Sequence, residues 1–400
     1  MTSLLPKIRS AWESPRVRGI IQAGAVALVC LLSFCYALYG AETVGKYSES
    51  YSPDAANYIA TAKRLITDHT YSFWGKGPDA YVPPGYPLFL AAGMAVFGMD
   101  VRGLFCVKAV QCLLAAGTVC LTFVLGRLLT GRYSVGMAAC LLVALNGSFY
   151  LYCRLMLTEN LYFFTMMLFF VLAAAALRRD RLWLHVAAGA ALGITVMVRP
   201  LVVVAAPFVY LPLIIERWGQ VRRILPPLAC FAGGFVAVCL PWWIRNAVTL
   251  HAFIPLATQT NPIYAGLAQD VDALGLKDPG TFGGNLLLLF QLLREHFFST
   301  VYWMTLGKFQ VIFMGEVSDG RFVAFTTLVR DLTLYLGLLG GVRALFRKKS
   351  WGPALAFWVY LASSFLFVPT PRYALQYMPL LAVLAGWLIM NTFAKEKEPV

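Results

Sequence analysis

Ser52-Pro53-Asp54-Ala55-Ala56-Asn57-Tyr58 lies between two long apolar stretches, Ile20 to Leu38 and Val101 to Leu129, and is followed by Tyr81-Val82-Pro83-Pro84-Gly85-Tyr86-Pro87. Serine before proline is a helix-start pair: the hydroxyl serves free backbone N–H groups, and proline at the first helical position has no N–H to leave unpaired. The pattern predicts a short helix running to about Thr67. Ala55, Ile59, Ala62 and Ile66 share one face of it, and Asp54, Tyr58 and Thr61 line another. Such a helix is expected to lie along a membrane surface with a carboxylate at its start. The prolines at 83–87 break helix and residues 88–97 are too few to cross a bilayer, so a second surface-lying or re-entrant helix is expected there.

The rest of the chain supplies the membrane. Of its 400 residues 60% are hydrophobic and only 13% charged, against about a quarter charged in soluble domains. Mean hydropathy is +0.70. Apolar runs of roughly 17 to 25 residues, the length of a crossing helix, recur from Ile20 almost to the C-terminus. They predict an all-α polytopic membrane protein with about ten spans: 20–39, 104–129, 134–150, 160–177, 183–198, 200–215, 225–244, 324–345, 352–368 and 373–391. Residues 1–400 then form one membrane domain interrupted by two long loops, 40–103 and 245–323.

The charges orient it. Arg9, Arg16 and Arg18, then Arg127 and Arg132, Arg178, Arg179 and Arg181, Arg217, Arg222 and Arg223, and Arg347, Lys348 and Lys349 all fall on one side of this topology. By the positive-inside rule that side is cytoplasmic, as are both termini, and the two long loops lie outside. The N-terminal run is long enough to be a retained first helix, and the short charged tail from Lys395 is expected to be disordered. Much of the net charge of +14 serves orientation and lipid headgroups, so it does not argue for nucleic acid. The nine cysteines fall within or at the ends of apolar spans, which argues against a disulfide framework or a zinc site. Residues 285–314 are apolar but broken by Gln291, Arg294, Glu295, His296 and Lys308, so amphipathic helices on the external face are expected, a hairpin dipping into the membrane being the alternative of the same parity.

Asp54 is the candidate general base. In the first turn of a helix a carboxylate is stabilised by free N–H groups and the helix dipole, so it stays ionised and able to take a proton. On the same side the topology places Arg154 and Glu159 between the third and fourth spans, Arg199 between the fifth and sixth, Arg245 with Asn246 at the end of the seventh, and Arg372 with Tyr373 between the ninth and tenth. Arginines there run against the positive-inside tendency and are costly without a partner, so an anionic ligand such as a lipid phosphate, which matches the guanidinium fork, is expected. Any one of them alone could instead snorkel or pair with Glu159; the gathering of four carries the reading. Lys63, Lys76, Asp79 and His69 share the first loop. No HExxH, Walker loop or spaced His and carboxylate set appears. No cofactor is assigned, and a divalent metal stays open because isolated carboxylates can recruit one.

These residues resemble the GT-C superfamily of polytopic glycosyltransferases, in the branch of protein O-mannosyltransferases, the lipid A aminoarabinose transferase and bacterial glycosyltransferase family 39. The carriers are Asp54-Ala-Ala-Asn-Tyr58, Pro83-Pro84-Gly85-Tyr86-Pro87-Leu88, Leu157-Thr158-Glu159-Asn160-Leu161-Tyr162, Val198-Arg199-Pro200, Pro241-Trp242-Trp243-Ile244-Arg245-Asn246 and Arg372-Tyr373. The resemblance implies an inverting transfer from a polyprenyl-phosphate-linked sugar to a hydroxyl or amine of a lipid, polysaccharide or protein acceptor, on the periplasmic face of a bacterial-type inner membrane. By position it gives Asp54 the base role, and Tyr58, Lys76, Arg199, Arg245, Arg372 and Tyr373 the donor phosphate and sugar. Asp79, Arg154, Glu159 and Asn246 become acceptor-side or supporting residues. Val82 departs from the pattern, since many members carry a lysine before the paired prolines. A transporter or flippase of a lipid-linked saccharide is the alternative, although no internal repeat or mid-membrane charge is evident.

Overall fold

The computed structural model describes residues 15–43, 52–315, 323–348 and 350–393. Arg9, Lys349, the tail from Lys395 and parts of the two predicted loops (44–51 and 316–322) lie outside the described residues. The first half of the chain forms α1 (Pro15–Thr43), α2 (Pro53–Thr67), α3 (Gly85–Phe97), α4 (Val101–Thr130), α5 (Tyr133–Ala144), α6 (Glu159–Arg179) and α7 (Leu182–Val198). Then come α8 (Ala206–Glu216), α9 (Val221–Leu250), α10 (Asn261–Tyr264), α11 (Phe282–Glu295) and α12 (Phe297–Tyr302). The series closes with α13 (Val323–Leu345), α14 (Trp351–Ser363) and α15 (Met378–Phe393). No strand occurs among the described residues.

α1, α4, α6, α9 and α13 are long and apolar enough to cross a membrane. The other five expected spans are shorter or broken. α5 bends by 54° into a 3-10 segment, Gly147–Arg154, and α7, α8, α14 and α15 run only 17, 11, 13 and 16 residues. Proline explains two of the breaks. Pro200 and Pro371 open the 3-10 turns Pro200–Ala205 and Pro371–Gln376, and each pushes the residue before it, Arg199 or Thr370, into extended backbone. Pro241 is instead absorbed inside α9, which continues to Leu250, so the second long loop begins near His251 and not at 245.

α4 is the central strut, packed against α1, α3, α5, α6 and α15. α7 packs between α6 and α9. The α7–α9 approach is backbone on backbone: a Cβ at Gly189 would lie 1.9 Å from the Phe231 carbonyl oxygen, and one at Gly234 2.1 Å from that of Val186. Small residues hold membrane helices together in this way because lipid gives no hydrophobic drive for association.

α2 runs from Pro53 to Thr67, as the sequence predicts. Ser52 has the extended backbone of an N-cap but its side chain makes no capping bond. Thr61, expected on the polar face, is buried, because its hydroxyl is satisfied within the helix by donating to the Asn57 carbonyl at 2.7 Å. α2 packs on α3, which rests on α4 and α7. The second loop then ties the assembly together: the Thr258 and Gln259 amides donate to the Ala80 and Tyr81 carbonyls at 2.9 and 3.2 Å, and the Val368 amide donates to Pro262 at 2.6 Å.

Candidate functional site

Three of the interrupted turns, α5–α6, α7–α8 and α14–α15, meet beneath the start of α2. Each contributes a charge. At the foot of the site Glu159, in the first turn of α6, is fully buried and accepts from Arg199 Nη2 at 2.6 Å through Oε1. Arg199 Nε also donates to Thr158 Oγ1 at 2.7 Å. Glu159 Oε2 is buried with no partner.

The Tyr373 ring lies between two guanidiniums, with Arg199 at 5.6 Å and Arg372 at 5.5 Å from its centroid. Such contacts hold a cation over an aromatic face without consuming its hydrogen bonds. Arg372 then faces Asp54 on α2, Nη2 to Oδ2 at 3.5 Å, with the two side chains 28% and 52% exposed. Burial works against the charge of Arg372, but Glu159, Tyr373 and Asp54 outweigh it and hold the group protonated above the ordinary arginine range. The four charges thus form two ion pairs whose cations flank Tyr373, tight and buried at Glu159–Arg199, loose and exposed at Arg372–Asp54.

Tyr58, one turn along α2 from Asp54, is wedged edge-on between Phe73 at 5.6 Å and Tyr86 at 5.1 Å. Burial pushes its phenol up, Asp54 and Glu159 add to this, and Arg199 opposes it, so Tyr58 remains a neutral donor. Tyr86 is fixed in turn by donating to Gln111 Oε1 at 2.8 Å on α4.

Other expected site residues fall elsewhere. Arg245 belongs to α9, and its guanidinium is committed to the first loop, donating to the Asp79 carbonyl at 2.6 Å, the Tyr71 carbonyl at 2.9 Å and Asn246 Oδ1 at 3.0 Å. Asn246 is buried and passes its amide on to the Ile254 carbonyl at 3.0 Å. The Asp79 carboxylate accepts from the Phe73, Trp74 and Tyr81 amides at 2.8, 3.3 and 3.2 Å. This set shapes the loop and does not join the Asp54 and Arg372 pair. Lys76 is exposed between Gly75 and Gly77 and has no ion pair among the described residues. Arg154 ends the 3-10 segment after α5, with its guanidinium against Gly40 of α1.

The structure adds residues to which sequence reasoning gave no role in the site. Thr158 and Tyr162 join Glu159 around Arg199, Tyr162 with its ring centroid 5.7 Å from the guanidinium. Their i, i+1, i+4 spacing on the first turn of α6 was the available signal. Beneath them the Tyr162 and Tyr360 hydroxyls are 2.7 Å apart. Lys308, fully buried between two π-helical turns (Trp303–Gly307 and Gln310–Met314), donates to the Phe365 and Phe367 carbonyls at the start of the turn that carries Arg372. Among the described residues no group of three His, Cys, Asp or Glu could hold a metal ion.

The fold recurs in solved structures. The archaeal oligosaccharyltransferase AglB of Archaeoglobus fulgidus, in complex with an inhibitory peptide and a dolichol-phosphate, superposes with a TM-score of 0.56 at 11% identity, over 95% of this chain and 53% of that one. The apo form of an A. fulgidus oligosaccharyltransferase gives 0.54 at 12% identity, over 92% and 50%. The chain shares that fold. It spans about half the length of these oligosaccharyltransferases. ArnT of Cupriavidus metallidurans bound to undecaprenyl phosphate aligns over 94% of this chain and 78% of that one, with a TM-score of 0.44 at 12% identity. In sequence, residues 81–244 match the family described as dolichyl-phosphate-mannose-protein mannosyltransferase, a stretch that holds Arg154, Glu159 and Arg199 but neither Asp54 nor Arg372. No curated protein matches the chain in sequence.

Proposed function

We propose that this protein is a membrane glycosyltransferase that moves a sugar from a polyprenyl-phosphate donor to an acceptor hydroxyl or amine at the non-cytoplasmic face, with inversion. The observation that carries it is the loose Asp54–Arg372 pair set over the tight Glu159–Arg199 pair. An exposed ion pair at 3.5 Å is worth roughly 0–1 kcal/mol, so an arriving phosphate can take Arg372 at little cost. That exchange leaves the Asp54 carboxylate without its cation at the moment the donor is in place. The likeness of the matched family and of the oligosaccharyltransferase fold to proteins named for dolichol-linked lipids supports the choice of donor class.

The chemistry balances with these groups alone. Asp54 takes the proton of the acceptor O–H or N–H as that atom attacks the anomeric carbon from the face opposite the phosphate. The bond from the anomeric carbon to the phosphate oxygen breaks, and the departing phosphate leaves on Arg372, with Arg199 behind Tyr373. A donor already activated by its leaving group needs only a placed base and an electrostatic clamp. The arginine-rich turns at the opposite ends of the spans support an external site.

The test is sugar release and transfer by purified wild type and Asp54→Asn across a panel of radiolabelled polyprenyl-phosphate sugars, with bacterial envelope extract as acceptor. Wild-type transfer, with Asp54→Asn binding the donor but turning over at least about a hundredfold more slowly, is expected. In the same panel Arg372→Gln weakens donor binding. Near-normal turnover by Asp54→Asn would remove the base assignment, and donor binding without transfer by either protein would favour a transporter.

A further inference from the structure

We propose that a groove between α1 and α4 holds one acyl chain of an anionic glycerophospholipid, with the headgroup on Arg127. α1 packs unevenly. Near its C-terminal end Ala37 and Ala41 are buried, Tyr36 meets Tyr150 edge-on at 5.4 Å, and Gly40 lies against Arg154. Towards its N-terminal end α1 leaves a cavity of about 780 Å³ against α4, floored by Phe164 of α6. That volume is in the range of small-molecule sites.

The lining runs along α1 from Gly19 to Phe34, about 22 Å at the helical rise. One leaflet of hydrocarbon is roughly 15 Å deep, so the groove is long enough for a full acyl chain. Its walls are apolar, and the polar lining, Gln22, Arg127 and Tyr133, gathers at one end, where the Tyr133 hydroxyl donates to the Gln22 carbonyl at 3.2 Å. Arg127 is the one charged lining residue and is exposed, with Arg18 exposed at the same end of α1. A void at lipid depth forfeits dispersion contacts that an alkyl chain restores, and a guanidinium beside it selects a phosphate headgroup. This is the end of α4 remote from the candidate active site, since Gln111, which binds Tyr86, lies beyond the other end of the lining. The headgroup at Arg127 is therefore a second anion and not the donor phosphate.

Native mass spectrometry of the detergent-purified full chain, titrated with dioleoyl phosphatidylglycerol or dioleoyl phosphatidylcholine, tests this. Wild type should bind one phosphatidylglycerol in preference to phosphatidylcholine, and Arg127→Gln should lose that preference by on the order of tenfold. Gly19→Phe, at a position where an added Cβ meets open space, should obstruct the Arg127 end of the groove and sharply reduce the retained lipid while leaving the unfolding midpoint unchanged. Equal binding of the two lipids by wild type, phosphatidylglycerol binding unaffected by either variant, or a Gly19→Phe-sensitive adduct with the mass of a prenyl phosphate would each overturn the proposal.

Discussion

Glu159 and Arg199 should be energetically coupled far more strongly than any other ion pair in the site. The carboxylate is fully buried, the guanidinium 19% exposed, and the contact is 2.6 Å. Removing one partner of a buried pair strands the other charge, at a typical cost of about 3–5 kcal/mol. Water reaches Arg199 to some extent, and Thr158 and two aromatic faces remain to it, so Glu159→Gln should lie at the low end, about 3 kcal/mol. Arg199→Gln should cost at least as much, because the carboxylate it abandons has no second partner on Oε2. The double variant strands nothing, so it should be less destabilised than the sum of the singles by about 2 kcal/mol or more. Equilibrium unfolding in mixed micelles, followed by tryptophan fluorescence and circular dichroism, measures all three. Additive effects, with coupling below about 0.5 kcal/mol, would refute the buried pair as the base on which Tyr373 and Arg372 stand.

Two further outcomes follow from the groups around the site. Arg245→Met removes three hydrogen bonds to the first loop and α9, each charge-assisted and worth about 1.5–3 kcal/mol at most; faster proteolysis between residues 68 and 84 is expected, and an unchanged cleavage rate would return Arg245 to a ligand-binding role. Burial pushes Lys308 down to about 7 from 10.5, so the folded state binds fewer protons than the unfolded chain between those values. Stability should therefore rise with pH across that window and flatten below about 7, and Lys308→Met should remove the rise; a variant with the wild-type slope would show that Lys308 stays charged in the fold.

Much of the architecture was written locally. Pro53 at the first helical position and the stripe of Ala55, Ile59 and Ala62 set α2 locally, because proline's fixed φ and a 3.6-residue period act within a single helix. Apolar length likewise placed α1, α4, α6, α9 and α13. It misjudged the length of α8, α14 and α15, since hydropathy runs on through residues whose helix proline or packing has already ended. The extension of α9 past Arg245 was hidden for the converse reason: a proline that the neighbouring packing tolerates looks in sequence like one that stops a helix.

By itself the sequence determined that this chain lives in a membrane, where its five longest apolar helices run, and that arginines gather on the side of Asp54, because hydropathy and charge are properties of each residue in turn. It could not sort those arginines. Arg199 and Arg372 each stand beside a proline and Arg245 two residues after Trp243, which makes them look alike in sequence, yet the fold spends Arg245 on the carbonyls of Tyr71 and Asp79, pairs Arg199 with buried Glu159, and leaves Arg372 half-open towards Asp54. A guanidinium is always charged, so its role is set by which acceptors come within hydrogen-bond reach, and only the packing of distant turns brings them there.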